Sequence, residues 1–78
     1  MDWKQKKEYV QRATIRRSEL LEQLYSEPAP SRIEKDIITL EIMELDIMPD
    51  SKAWRWGYKG VLRRARNALI EKMKEEQP

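Results

Sequence analysis

Ile37-Ile38-Thr39-Leu40-Glu41-Ile42-Met43-Glu44-Leu45-Asp46-Ile47-Met48 is the stretch on which the fold turns. Ile38 to Ile42 alternates apolar and polar residues, and so does Met43 to Ile47. Period two is the mark of a strand. The two alternations are out of phase by one residue, so a single strand would expose one of the two apolar sets. No second strand-like run is available to pair with it, and a lone strand leaves its backbone groups unsatisfied. The segment is therefore read as a helix, apolar around much of its circumference and central to the molecule.

The flanks agree. Ser31 stands three residues before Glu34, the S-x-x-E box that opens helices, and Pro49 closes the run. This second helix is expected over about 32–48. Upstream, Pro28-Ala29-Pro30 breaks the chain. Before it, Trp3, Val10, Ala13, Leu20, Leu21 and Leu24 recur at helical spacing behind an Asp2/Gln5 capping box. A first helix is expected over about 3–26, with Arg17 on its apolar stripe and Tyr9 and Ile15 off it. Downstream, Asp50 or Ser51 can cap a third helix over about 51–75. Its inward stripe would be Trp54, Tyr58, Val61, Leu62, Ala65, Ala68, Leu69 and Met73. Gly57 and Gly60 weaken its start, so 52–60 reads either as its first turns or as a short helical turn or loop, with the regular helix beginning near Gly60. The tail, Glu75 to Pro78, is expected to fray. The expectation is one all-α domain spanning 1–78, a small three-helix bundle with the second helix antiparallel to the first.

A chain of 78 residues without a single cysteine or histidine has neither disulfides nor the usual zinc ligands to reinforce a small core. Oligomerisation is the remaining aid, and a homodimer formed through the second or third helix is expected. Charged residues make up 38% of the chain and no apolar run is long enough to span a membrane. The basic N-terminus lacks the apolar segment of a secretory signal, so a cytoplasmic location is expected.

Catalysis finds no support in these residues. There is no His or Cys to act as base, nucleophile or ligand. The serines have no evident activating partner, and no glycine-rich phosphate loop appears. Glu41 and Glu44 share a helix face, but Asp46 points away from them, so no acidic metal set forms. A non-enzymatic protein without cofactor or metal is expected.

Charge is segregated: residues 1–26 carry a net +2, residues 27–50 a net −5 and residues 51–78 a net +5. Such a pattern either builds a polyanion-binding face or lets the segments neutralise each other across helix contacts. On a third helix, Arg55, Lys59, Arg63 and Arg66 would line one side, away from the apolar stripe. Trp54 and Trp56 would lie about 200° apart, so that Trp56 projects among the basic side chains if Trp54 is inward. Guanidinium groups suit phosphates and an indole suits an unpaired base. The leading expectation is thus a small regulatory nucleic-acid-binding protein, DNA favoured, using Arg55, Trp56, Lys59, Arg63, Arg64, Arg66 and Asn67. The alternative is a protein-binding adaptor or inhibitor. It would use the surplus apolar surface of the second helix, through Ile38, Ile42, Leu45 and Met48, together with Trp56.

Overall fold

The computed structural model describes residues 2–76. It holds four helices: α1 (Trp3–Leu24), α2 (Arg32–Leu45), α3 (Lys52–Arg55) and α4 (Tyr58–Glu76). The all-α, small-bundle architecture expected from the sequence is present. Gln77 and Pro78 of the expected frayed tail lie outside the described residues, while Glu75 and Glu76 are helical.

Local chemistry sets the helix ends. The Asp2 carboxylate accepts from the Gln5 backbone N–H at 2.9 Å, and the Gln5 side chain accepts from the Asp2 N–H at 3.1 Å, a complete capping box. Ser31 Oγ accepts from Glu34 N–H at 3.3 Å and donates to the Glu34 carboxylate at 3.0 Å. At α3 the cap is Ser51, whose Oγ accepts from Trp54 N–H at 3.2 Å. Asp50 instead takes a left-handed φ of 65° and pairs with Lys6.

Three boundaries differ from expectation. α1 stops at Leu24, with Tyr25 as its C-cap. α2 stops at Leu45, because Met48 precedes Pro49 and a pre-proline residue is driven out of the helical region. Ile47, just past the helix, turns into the core and is buried. The third helix is split: Gly57 has φ of 73°, the left-handed geometry that ends a helix at glycine. α3 and α4 are therefore separate rods.

α2 is the central element, packed against both α1 and α4. Its N-terminal residues Ile33 and Asp36 lie beside Leu69 and Lys72 of α4, and its C-terminal Leu45 lies beside Ala13 and Arg17 of α1. Both neighbours thus run antiparallel to it. α1 and α4 make no close backbone approach to each other among the described residues. The result is a flat plate of 46 × 26 × 16 Å with a radius of gyration of 14.2 Å, against about 11–12 Å for a compact chain of this length.

Such a plate buries little. The buried apolar residues are Ala13, Leu20, Ile47 and Leu62. Leu21, Leu24, Ile33, Ile37, Ile38, Leu40, Ile42, Leu45, Leu69, Ile70 and Met73 form a half-buried shell around them. The first-helix stripe is shorter than expected: Trp3 is 72% and Val10 39% exposed. Tyr9, off that stripe, is half-buried, while Ile15 is exposed.

Candidate functional site

The buried polar group of this core is Glu44, only 5% exposed. It sits on the flank of α2 that faces α4. Arg63 donates to its Oε1 from Nε at 3.1 Å and from Nη2 at 2.8 Å. Arg66 Nη1 stands 3.0 Å from the other oxygen, Oε2. That contact pairs the charges but lacks hydrogen-bond alignment, and Oε2 has no other partner. One turn earlier, Glu41 accepts from Arg66 Nη1 at 3.3 Å and from Arg16 Nε of α1 at 2.7 Å. Arg16–Glu41–Arg66–Glu44–Arg63 is thus a continuous ionic spine joining all three long helices. Hydrogen bonding to Glu41, then to Glu19, holds the Arg16 guanidinium above its usual pKa. On the other side of α1, Arg17 Nε reaches Asp46 Oδ1 at 2.9 Å.

This spine corrects the expected basic face. Lys59, Arg63 and Arg66 do not line a free side of α4. They turn toward α2 and α1, where two of them are tied to carboxylates. Arg55 is on α3, across the Gly57 turn, and shares no helix face with them. The charge segregation in the sequence is spent, in this middle section, on contacts between helices. The inward stripe is corrected with it. Leu62, Leu69 and Met73 turn inward, but Tyr58, Val61, Ala65 and Ala68 are exposed. The proposed protein-docking residues of α2 are likewise consumed: Ile38, Ile42 and Leu45 are half-buried against the neighbouring helices. Met48 remains 42% and Trp56 80% exposed.

The sequence reading missed a second cluster, where the N-terminal half of α1 meets α3. Lys6 Nζ lies 2.6 Å from Asp50 Oδ2, which holds the Asp50 carboxyl below its ordinary value. Tyr9 and Trp54 stack edge to face with ring centroids 5.4 Å apart. Lys59 lies over both rings, 4.3 Å from the Tyr9 centroid and 5.2 Å from that of Trp54, and its Nζ donates to the Tyr9 hydroxyl. Burial pushes the Lys59 ammonium below the usual lysine range, and nearby Arg63 adds to the effect. The available signal was Tyr9 itself, an aromatic residue off the stripe of its helix.

This end of the plate holds Trp3, Tyr9, Trp54, Trp56 and Tyr58, leaving only Tyr25 among the aromatics at the other end. Trp54 is half-buried and Trp56 projects outward, as their angular separation required. Lys4, Lys7, Lys52 and Arg55 are exposed here and pair with no carboxylate among the described residues. Lys7 stands over the Trp3 ring, 5.3 Å from its centroid. Arg64 and Asn67, also proposed for binding, are exposed on the outer side of α4, with the Arg64 Nε turned back to the Gly60 carbonyl at 3.4 Å. The opposite end is acidic: Glu19, Glu22, Glu27, Glu34, Asp36, Glu71, Glu75 and Glu76 outnumber Arg32, Lys35, Lys72 and Lys74.

No group of carboxylates among the described residues is arranged to hold a metal ion. No helix among them is long and apolar enough to cross a membrane. The chain matches no protein-family model, no curated protein and no solved structure.

Proposed function

We propose that this chain is a small non-enzymatic regulatory protein whose aromatic, basic end holds nucleic acid through unpaired bases. The observation that carries the reading is the pair of exposed indoles, Trp56 and Trp3, set among the unpaired cations Lys4, Lys7, Lys52 and Arg55. Indole faces stack on bases irrespective of sequence. Cations freed from internal pairing neutralise phosphates and release counterions. A duplex groove is the poorer target, since Lys59, Arg63 and Arg66 are occupied within the fold and no helix among the described residues presents a continuous basic side. Single-stranded DNA is the favoured ligand, and a cytoplasmic setting suits it.

The test is fluorescence anisotropy with labelled single-stranded and duplex oligonucleotides. Single strands should bind more tightly, and affinity should fall steeply between about 50 mM and 200 mM salt. Trp56→Ala should weaken binding roughly tenfold, the worth of a lost base stack. Lys52→Glu with Arg55→Glu should weaken it further, while Arg63→Gln should act mainly through stability. Failure to bind any strand at low salt overturns the reading.

A protein-docking reading rests on Met48 and Trp56, large apolar side chains exposed in the segment between α2 and α4. It predicts a partner whose retention survives high salt and is lost in Trp56→Ala.

A further inference from the structure

Lys6 stands within the aromatic, basic end, and among the lysines described there it is the one paired to a carboxylate. Its Nζ lies 2.6 Å from Asp50 Oδ2, and the two side chains are 44% and 45% exposed. Lys6 also lines a shallow hollow on α1, together with Trp3, Lys7, Val10 and Gln11. Asp50 comes two residues ahead of Lys52 in the connection to α3. Lys6 first, and Arg55 more weakly, hold its carboxyl below the ordinary value. The carboxylate therefore stands between the free cations of α1 and those of α3.

We propose that Lys6 is a further strand-binding residue held in reserve by Asp50, whose carboxylate occupies the place of a strand phosphate and yields Lys6 to it. This rests on the nucleic-acid reading above and adds two residues to the same site. A base stacked on Trp3 in the hollow brings its phosphate to the lysines that line it, Lys6 and Lys7.

Magnitudes favour the exchange. An ion pair this exposed contributes little, because water and salt screen both charges. Releasing it costs correspondingly little, and the Asp50 carboxylate is rehydrated. A contact to a strand phosphate gains more, since each one also frees condensed counterions. An isolated small anion brings no such release and leaves the pair closed. Asp50 thus tunes the site toward polyanions. It is free to let go of Lys6 without unmaking a helix, because Ser51 and not Asp50 caps α3.

Fluorescence anisotropy with a labelled single-stranded oligonucleotide, read across a salt series, tests this. Asp50→Asn should tighten binding roughly two- to fivefold, the strength of an exposed pair. Asparagine tolerates the φ of 65° at this position, so the far-ultraviolet dichroism should not change. Glu8→Gln removes an exposed charge of the same sign from α1 without releasing a lysine, and should tighten binding less. Lys6→Gln should weaken binding, and by more when Asp50 is already Asn. It should also lower the slope of log affinity against log salt by about 0.7, one phosphate contact fewer. A slope that Lys6→Gln leaves unchanged overturns the proposal and leaves the nucleic-acid reading standing. So does a gain for Asp50→Asn no larger than that for Glu8→Gln. Failure of the wild type to bind any strand at low salt overturns both.

Discussion

The two flanks of α4 treat their side chains in opposite ways. On the flank facing α2 and α1, Arg63 and Arg66 reach inward to carboxylates, one of them, Glu44, buried. On the other flank, Tyr58, Val61, Ala65 and Ala68 face water. A small plate in which one helix lies between two others has more inward-pointing positions than apolar neighbours to fill them. Here long guanidinium side chains span the gap that a core too thin to close leaves between α1 and α4. Their stems pack and their heads pair. The comparison teaches that the organising contact of this fold is ionic, and that its spare hydrophobic capacity is held at the surface.

The sharpest way to break that comparison is to remove the carboxylate at its centre. Glu44→Ala leaves Arg66, itself only 18% exposed, without its buried partner. It should cost about 2–3 kcal/mol, somewhat below a fully buried pair because Arg63 reaches solvent. Urea unfolding followed by dichroism measures this. Glu44→Met, which fills the space with apolar volume, should cost less than Ala. A smaller loss for Ala than for Met would show that the spine does not organise the core.

Gly57 decides how α4 is rotated relative to α3, and hence which flank faces inward. An alanine methyl there would meet no atom within 4 Å, so any penalty comes from its left-handed φ alone. Gly57→Ala should destabilise by about 1 kcal/mol. A neutral result would mean that the turn is not what holds the flanks in place.

The smallest effects concern pH. Burial lowers the Lys59 pKa in the folded protein, so the unfolded chain holds that proton more tightly. Stability should therefore rise with pH between the lowered folded value and the ordinary 10.5. Lys59→Met should flatten the rise in melts across that window. Asp50 acts with the same sign in the acid range. Lys6 lowers its pKa from 3.8, so its contribution is present above that value and is lost as pH falls through the lowered one. Asp50→Asn, which keeps a residue tolerant of positive φ, should remove a small part of the acid sensitivity.

Much of this fold could be read from short local signals. Asp2 with Gln5, Ser31 with Glu34, the proline pair at 28 and 30, and Pro49 placed the helices to within a few residues. The clash of two out-of-phase alternations ruled out a strand at 38–47. What could not be read was rotation. The apolar band from Trp54 to Met73 is broad enough to satisfy its neighbours in more than one setting, and periodicity gives no preference among them. That freedom moved Lys59, Arg63 and Arg66 from an outer basic side to the inner spine, and moved Tyr58 and Val61 outward. The angular separation of Trp54 and Trp56 survived, because it depends on local helix geometry and not on how the rod is turned. Tyr9 joined its cluster through a partner about fifty positions away in the chain, a relation that no local pattern encodes.

The three indoles occupy two distinct surroundings, and this gives the molecule a built-in optical reporter. Trp3 and Trp56 emit from water, while Trp54 emits from beside a phenol and an ammonium. A strand laid across Trp56 should quench the red side of the emission and leave the blue side in place. Loosening of the α1–α3 contact should do the reverse, so occupancy and local opening can be told apart in one unlabelled spectrum.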